Sequence, residues 1–172
     1  VGEFLATCEV RDGYAYHQGR RIKACWPVHI FGHVIDIAAM RTVCENFGVT
    51  VIEDAAESLG SSRGGAPAGS LAVAAAGSFN GNKIVTTGGG GCVVTNDEQL
   101  AARLKHLTTT ARVKHAWSFL HDEMGFNYRL PNLNAALGLG QLEQMHAFIE
   151  RKRRLADLYE ALFQNSEEAV FV

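Results

Sequence analysis

Residues 78–91 read SFNGNKIVTTGGGG. A single lysine, Lys83, follows two asparagines and precedes four consecutive glycines. A glycine-rich loop lets the main chain approach a ligand closely, so it can cradle a phosphate. It can equally be a hinge or a plain connection. Asp54 lies 29 residues before Lys83, at the end of the β-rich run VTVIEDA. In open α/β sheets ligands sit outside the carboxyl ends of strands, which is where this acid falls. Burying its carboxylate without a partner is costly, and a cation nearby offsets that cost. The cation could be a lysine on another loop or a protonated heteroaromatic nitrogen of a ligand. Ser78, five residues before Lys83, offers a hydroxyl to a phosphate. An amine, a carboxylate and a phosphate cradle together suit pyridoxal phosphate (PLP). That cofactor needs a lysine to hold it, an acid facing its ring nitrogen and an anchored phosphate.

The elements that must position these groups are legible as patterns. IKACWPV, residues 22–28, is a short apolar run ended by Pro27 and reads as a buried strand. In 36–47, Ile37, Met40, Val43, Cys44 and Phe47 recur at spacings of three and four and make one apolar helix face, with Gly48 as a natural C-cap. A strand over 49–55 follows. Strand, helix and strand in this order form a βαβ unit and predict parallel pairing. Residues 60–70 read as loop, 71–79 and 91–96 as further strands. Asp97 is the expected N-cap of a helix over DEQLAARLKHL. The pattern fades over 108–131. After Pro131 one long helix is predicted over 132–163, with Leu142, Met145, Ile149, Leu155, Leu158 and Leu162 on its inner face.

Of the 172 residues, 47% are hydrophobic and 20% charged, enough for one sizeable core. A net charge of -2 does not steer the chain toward nucleic acid or an anionic membrane. The basic run 151–154 reads as a solvated helix face. No apolar run reaches the roughly 18 residues of a membrane helix. VGEFLATCEV has no basic segment leading into an apolar one, so no signal peptide is expected. Cys8, Cys25, Cys44 and Cys92 lack CxxC pairing and read as small buried thiols in a reducing, cytoplasmic setting. His29 and His33 have a metal-like spacing but straddle IFG at a strand end, so no metal site is expected. His121 and Asp122 suit a helix cap or a substrate contact. Trp26 and Trp117 are expected in the core or an interface.

Four stretches taken together, PVHIFGH, VIEDAAESLGS, GSFNGNKIVTTGGGGCVVTND and HDEMGFNYRLPNLNAALGLGQLEQ, resemble the DegT/DnrJ/EryC1/StrS family of PLP-dependent nucleotide-sugar aminotransferases. They occur in the family's order over residues 20–163. The SFNGNK…TTGGGG wording looks most like the branch that aminates 4-keto-6-deoxy sugars on the route to bacillosamine and legionaminic acid. The resemblance implies an α/β fold, the three-layer αβα large domain of fold type I PLP enzymes, present in part. It implies that Lys83 is the Schiff-base lysine, Asp54 the ring-nitrogen partner and Ser78 a phosphate ligand. Glu57 falls where the family places Gln, Glu or His beside the ring hydroxyl. Asn127 matches an asparagine that reaches the cofactor phosphate of the other subunit, which implies a homodimer with shared sites. Arg129 could hold a substrate anion or form a surface ion pair. Glutamate is the implied amino donor and a keto nucleotide sugar the acceptor.

Family members are longer, with an N-terminal portion and a C-terminal small domain not matched here. The chain opens on Val1, which fits a central fragment, with residues 1–131 as partial large domain and 132–172 as a helix leading toward the small domain. Before Ser78 the family more often has an aromatic where this chain has Gly77. The other expectation is a truncated, non-catalytic α/β module that keeps the fold and self-associates through 108–163.

Overall fold

A computed structural model describes residues 1–164 and Ser166. The rest of the expected 132–172 segment lies outside the described residues.

Helix α1 (Gly2–Ala6) leads into three short antiparallel strands, β1 (Glu9–Arg11), β2 (Tyr14–His17) and β3 (Arg20–Arg21). Both connections are two-residue turns whose residues all have positive φ: Asp12 51° and Gly13 80°, then Gln18 48° and Gly19 74°. That geometry matches the twist of a tight hairpin. Next come β4 (Ala24–Cys25), a 3-10 turn at Ile30–Gly32, α2 (Ile37–Glu45) and β5 (Thr50–Asp54). β4 pairs parallel with β5, as the βαβ pattern predicts. The strand expected over 22–28 is shorter, because Pro27 has no N–H for the ladder. Its carbonyl still accepts from Asp54 N at 2.8 Å, and Val28 bridges Asp54, so the chain keeps to β5's side. Asp36 caps α2, accepting from Ala39 N at 3.0 Å. Gly48 follows two residues after the cap Asn46 with φ +61°.

The expected loop over 60–70 contains a small hairpin, β6 (Ser62–Arg63) and β7 (Ala66–Pro67). β8 (Ala74–Ser78) pairs parallel with β5, and β9 (Gly91–Val94) returns antiparallel to β8. The main sheet therefore runs β4-β5-β8-β9. Asp97 caps α3 (Glu98–Thr108), accepting from Gln99 N and Leu100 N at 2.9 and 3.0 Å.

The predicted helix over 132–163 is two helices, α4 (Asn132–Leu142) and α5 (Met145–Phe163). At the break Gln144 N bonds Gln141 O, a tightened i to i−3 turn, and Gln144 Nε2 donates to Gly140 O at 2.8 Å. These bonds end α4 before α5 begins. The expected inner face is also incomplete: Leu142, Leu155, Leu158 and Leu162 are exposed. Trp26 and Trp117, expected in the core or an interface, are 56% and 88% exposed.

The core is built from Leu5, Ala15, Ile37, Cys44, Val49 and Val51, where α1, α2 and the first hairpins close on β5. Of the four thiols only Cys44 is buried, and Cys92 is exposed. Burial, with Cys25 nearby, pushes the Cys44 thiol up to about 11. Among the described residues no helix is long and apolar enough to cross a membrane.

Candidate active site

Parallel pairing of β5 with β8 sets their carboxyl ends side by side. Asp54 is in register with Ala76, and Ser78 ends β8. Both strand ends are held by main-chain bonds. Asp54 N donates to Pro27 O, its carbonyl accepts from His29 N at 3.1 Å, and Ala55 N donates to Ala76 O at 2.9 Å.

The chain from β8 to β9 leaves the sheet as a closed loop. Phe79 N donates to Gly90 O at 2.9 Å and Thr87 N to Phe79 O at 3.0 Å, which ties its base. Lys83 sits in the turn at its tip, its N–H donating to Asn80 O. α4 holds the returning limb: Thr86 N donates to Gln141 Oε1 at 2.8 Å and Asn134 Nδ2 to Thr87 O at 2.6 Å. The glycine tract closes the loop against β8. A Cβ on Gly91 would lie 2.5 Å from Gly77 O, so the two strands meet there only without a side chain. The space that an aromatic at 77 would enter is taken by Cys92 Sγ, 2.8 Å from where a Cβ on Gly77 would stand.

Lys83 lines a cleft of about 590 Å³ together with Glu57 and Ser78. That volume is within the range of small-molecule sites. The Lys83 side chain is 16% exposed, and its Nζ donates to Glu57 Oε1 at 3.2 Å. Glu57 Oε2 accepts from the amide of Phe31 at 2.8 Å. Phe31 has φ 54°, a left-handed conformation costly for a bulky side chain, and it is held by the Glu57 bond together with the main-chain bonds Gly32 N to His29 O and His33 N to Ile30 O. The Phe31 amide and the Lys83 ammonium together hold the Glu57 carboxyl below the usual carboxylate range. Ser78 Oγ accepts from Asn80 N at 3.3 Å, leaving its hydroxyl proton free to donate outward. Asp54 is half-buried at the adjacent strand end, and its Oδ1 accepts from Ala56 N at 3.1 Å.

Of the residues singled out from sequence, Lys83, Glu57 and Ser78 meet in one cleft, with Asp54 on the neighbouring strand end. Asn127 stands apart: it bridges Thr109 and accepts from Arg129 Nε at 3.3 Å. Gly89, Gly90, Gly91 and Arg129 line a different cavity, of about 1010 Å³, between β9, α3 and the start of α4. The glycine tract thus closes the loop instead of lining the Lys83 cleft. His121 and Asp122 form a brace: His121 Nδ1 meets Thr110 O at 2.6 Å and Asp122 meets His106 Nε2 at 2.7 Å. Glu123 joins His106 and Asp122 there, with Arg103 bonded to its carboxylate.

Sequence reasoning missed the support beneath Asp54. Glu53 is fully buried, and its carboxylate accepts from His29 Nε2 at 2.8 Å, Gly69 N at 2.8 Å, Ala72 N at 3.0 Å and Leu71 N at 3.3 Å. His29 Nδ1 accepts from Ile35 N at 3.3 Å, so both ring nitrogens are engaged and the pairing with His33 considered from spacing has no shared ligand face. Burial alone would raise the Glu53 carboxyl. The His29 bond and the amides of Gly69, Ala72 and Leu71 outweigh it and hold the group below its ordinary value. The available signal was the ED pair itself: adjacent strand residues face opposite ways, so one of two acids must enter the core.

The chemistry of the donor set fits PLP: a lysine amine, a strand-end carboxylate one strand over and a free hydroxyl proton at the cleft. Residues 18–172 match the DegT/DnrJ/EryC1/StrS aminotransferase family, and the chain belongs to it. It is 42% identical over 139 residues to GDP-perosamine synthase of Escherichia coli O157:H7, covering 81% of this chain and 38% of that protein. The chain thus spans well under half the length of the curated relatives it matches. Its fold superposes with TM-score 0.81 on Helicobacter pylori PseC, an aminotransferase involved in the biosynthesis of pseudoaminic acid. That match has 27% identity and covers 84% of this chain and 39% of the other. A Streptococcus pneumoniae protein described as a sugar aminotransferase, solved in its PLP form, superposes with TM-score 0.77 at 25% identity, over 84% of this chain and 42% of its own. The α/β fold is therefore that of a sugar-aminotransferase large domain, present in part.

Proposed function

We propose that this chain carries the cofactor half of a PLP-dependent aminotransferase that moves an amino group from glutamate to a keto nucleotide sugar. The observation that carries the reading is Lys83 Nζ at the tip of a tied loop, in one cleft with Glu57 and Ser78. Family membership and relatives named for sugar transamination support it. The preference for a 4-keto-6-deoxy sugar rests on the wording of residues 78–91 alone.

PLP, when bound, supplies a sink for the electrons left when a proton departs from the amino acid's α-carbon. Lys83 would hold it covalently, Ser78 would donate to its phosphate, and Asp54 would pair with its ring nitrogen. Once free again, the Lys83 amine is the base for carrying protons in both half-reactions. Its present partner matters here. An ammonium paired with Glu57 has no lone pair, so Lys83 must give up a proton before its nitrogen can react. The Glu57 carboxylate keeps the Phe31 amide when that happens, so Phe31 and its turn stay in place. Asn127, which does not line the cleft, would serve a second copy in a homodimer with shared sites.

The test is to titrate the purified chain with PLP, follow the absorption band of a lysine adduct, reduce with borohydride and locate the label by peptide mass. Label on Lys83, lost in Lys83→Ala, is the expected result. Label scattered over surface lysines, or none, would overturn the reading for this chain and favour a non-catalytic module.

A further inference from the structure

Helix α5 turns an unexpected face to the Lys83 cleft. Ile149, Lys152, Arg153 and Ala156 line it, spaced i, i+3, i+4 and i+7, which is one side of a helix. In a globular helix this is ordinarily the apolar stripe. Here its two middle positions are cations, while Leu158 and Leu162 stand outside at 68% and 71% exposed. Ile149 pins the helix in place. Gly60 has φ +89°, and a Cβ on it would lie 2.5 Å from Ile149 Cδ1, so α5 and the loop after β5 are in close contact.

Among the described residues no carboxylate pairs with Lys152 or Arg153. On α5, Glu150 is taken by His146 at 3.5 Å and Arg154 at 3.9 Å. In the cleft, Glu57 is taken by Lys83 and the Phe31 amide. Three cations thus face one engaged carboxylate, in a chain whose net charge is -2. A cleft lined by one sign of charge concentrates ligands of the other.

We propose that Lys152 and Arg153 receive the diphosphate of a nucleotide-linked substrate at the mouth of the Lys83 cleft. The proposal rests on the reading of that cleft as the transamination site. Two neighbouring cations match two neighbouring phosphoryl groups, and a guanidinium grips phosphoryl oxygens in pairs where an ammonium acts as a point charge. Ala156, one turn on, leaves space beside them. The same phosphoryl chemistry is found in the cofactor's own phosphate, so the test has an arm for each source.

UDP and GDP are titrated into the whole chain by calorimetry at low salt, and borohydride-trapped PLP at Lys83 is measured in parallel. The variants are Lys152→Ala/Arg153→Ala and, as control, Arg154→Ala, which lines no part of the cleft. Alanine at exposed helix sites preserves the helix, and far-UV circular dichroism checks this. The expected result is nucleotide binding weakened by about tenfold or more in the double variant, less than about twofold in Arg154→Ala, and unchanged PLP trapping in both. Three results would overturn the proposal. One is no nucleotide binding to the unaltered chain. Another is equal loss with Arg154→Ala, which would mean a diffuse field. The third is lost PLP trapping with nucleotide binding kept, which would give the pair to the cofactor. Failure of PLP trapping in the unaltered chain strikes the transamination reading instead, and is read without any nucleotide present.

Discussion

Replacing Glu53 by glutamine tests whether the floor of the site is held by hydrogen bonding or by packing. The change conserves shape, so no cavity opens. Each Glu53 oxygen now accepts from two donors: Oε2 from His29 and Gly69, Oε1 from Leu71 and Ala72. A glutamine has one acceptor oxygen, and its NH₂ must face one of these pairs. In the better orientation it faces Leu71 N and Ala72 N, leaving two inward amides without a partner. An orphaned donor costs about 1–3 kcal/mol, and these two are only part-buried, so about 2–4 kcal/mol is expected in all. At roughly 2–4 °C per kcal/mol for a chain of this size, the melting temperature should fall by about 5–15 °C. Thermal unfolding followed by circular dichroism at neutral pH measures it. The sign of the pH dependence is fixed as well. The folded state holds the Glu53 carboxyl below its ordinary value of 4.5, so its contribution is complete above that pH and is lost as pH falls below it. The gap between the two proteins should narrow on acidification. A fall of less than about 2 °C at neutral pH, or a gap that widens below pH 4.5, would refute the reasoning.

Glu57→Gln removes the charge that engages Lys83 Nζ, so acetylation of Lys83 by acetic anhydride, which releases acetate, should speed up severalfold in the cofactor-free chain, read by peptide mass. An unchanged rate would mean that the 3.2 Å pair does not restrain the amine. Gly91→Ala places a methyl group against Gly77 O and must part β8 from β9. Overpacking of this kind costs about 1–3 kcal/mol, and both melting temperature and PLP trapping should drop. A variant that melts and loads like the original would mean the strands can part without disturbing the loop.

The βαβ unit over 22–55 was legible because its helix and strand periods are distinct and its ends are punctuated by Pro27 and Gly48. The Asp97 cap was legible for the same kind of reason. β1–β3 were missed although DG at 12–13 is a hairpin signal, because strands of two to four residues give too few positions to show alternation. The single helix over 132–163 failed at Gln144, where local side-chain bonding ends α4 within an unbroken apolar pattern. In the site, Lys83, Glu57 and Ser78 follow from their stretch of sequence and are brought to one cleft. The Glu53–His29 support, the Phe31 amide and the cations of α5 depend on contacts across 24 residues or more, which no local pattern carries. The basic run expected to be a solvated face is exposed throughout, and what the pattern did not show is that Lys152 and Arg153 also line the Lys83 cleft.

The loop that carries Lys83 begins and ends in the same strand pair, and that makes its length a ruler. Phe79 N closes on Gly90 O, and beyond this tie Gly77 sits opposite Cys92 and Ala76 opposite Val93. One residue more in the exposed turn around 80–82 would bulge outward and leave the tie intact. One residue fewer in 88–91 would slide β9 by a step, set Val93 against Gly77 and turn every side chain of β9 to its other face. The reach of the amine is therefore metered by the pleat of the sheet, and the glycines that look like slack in the sequence are the part of the loop with the least freedom to change length.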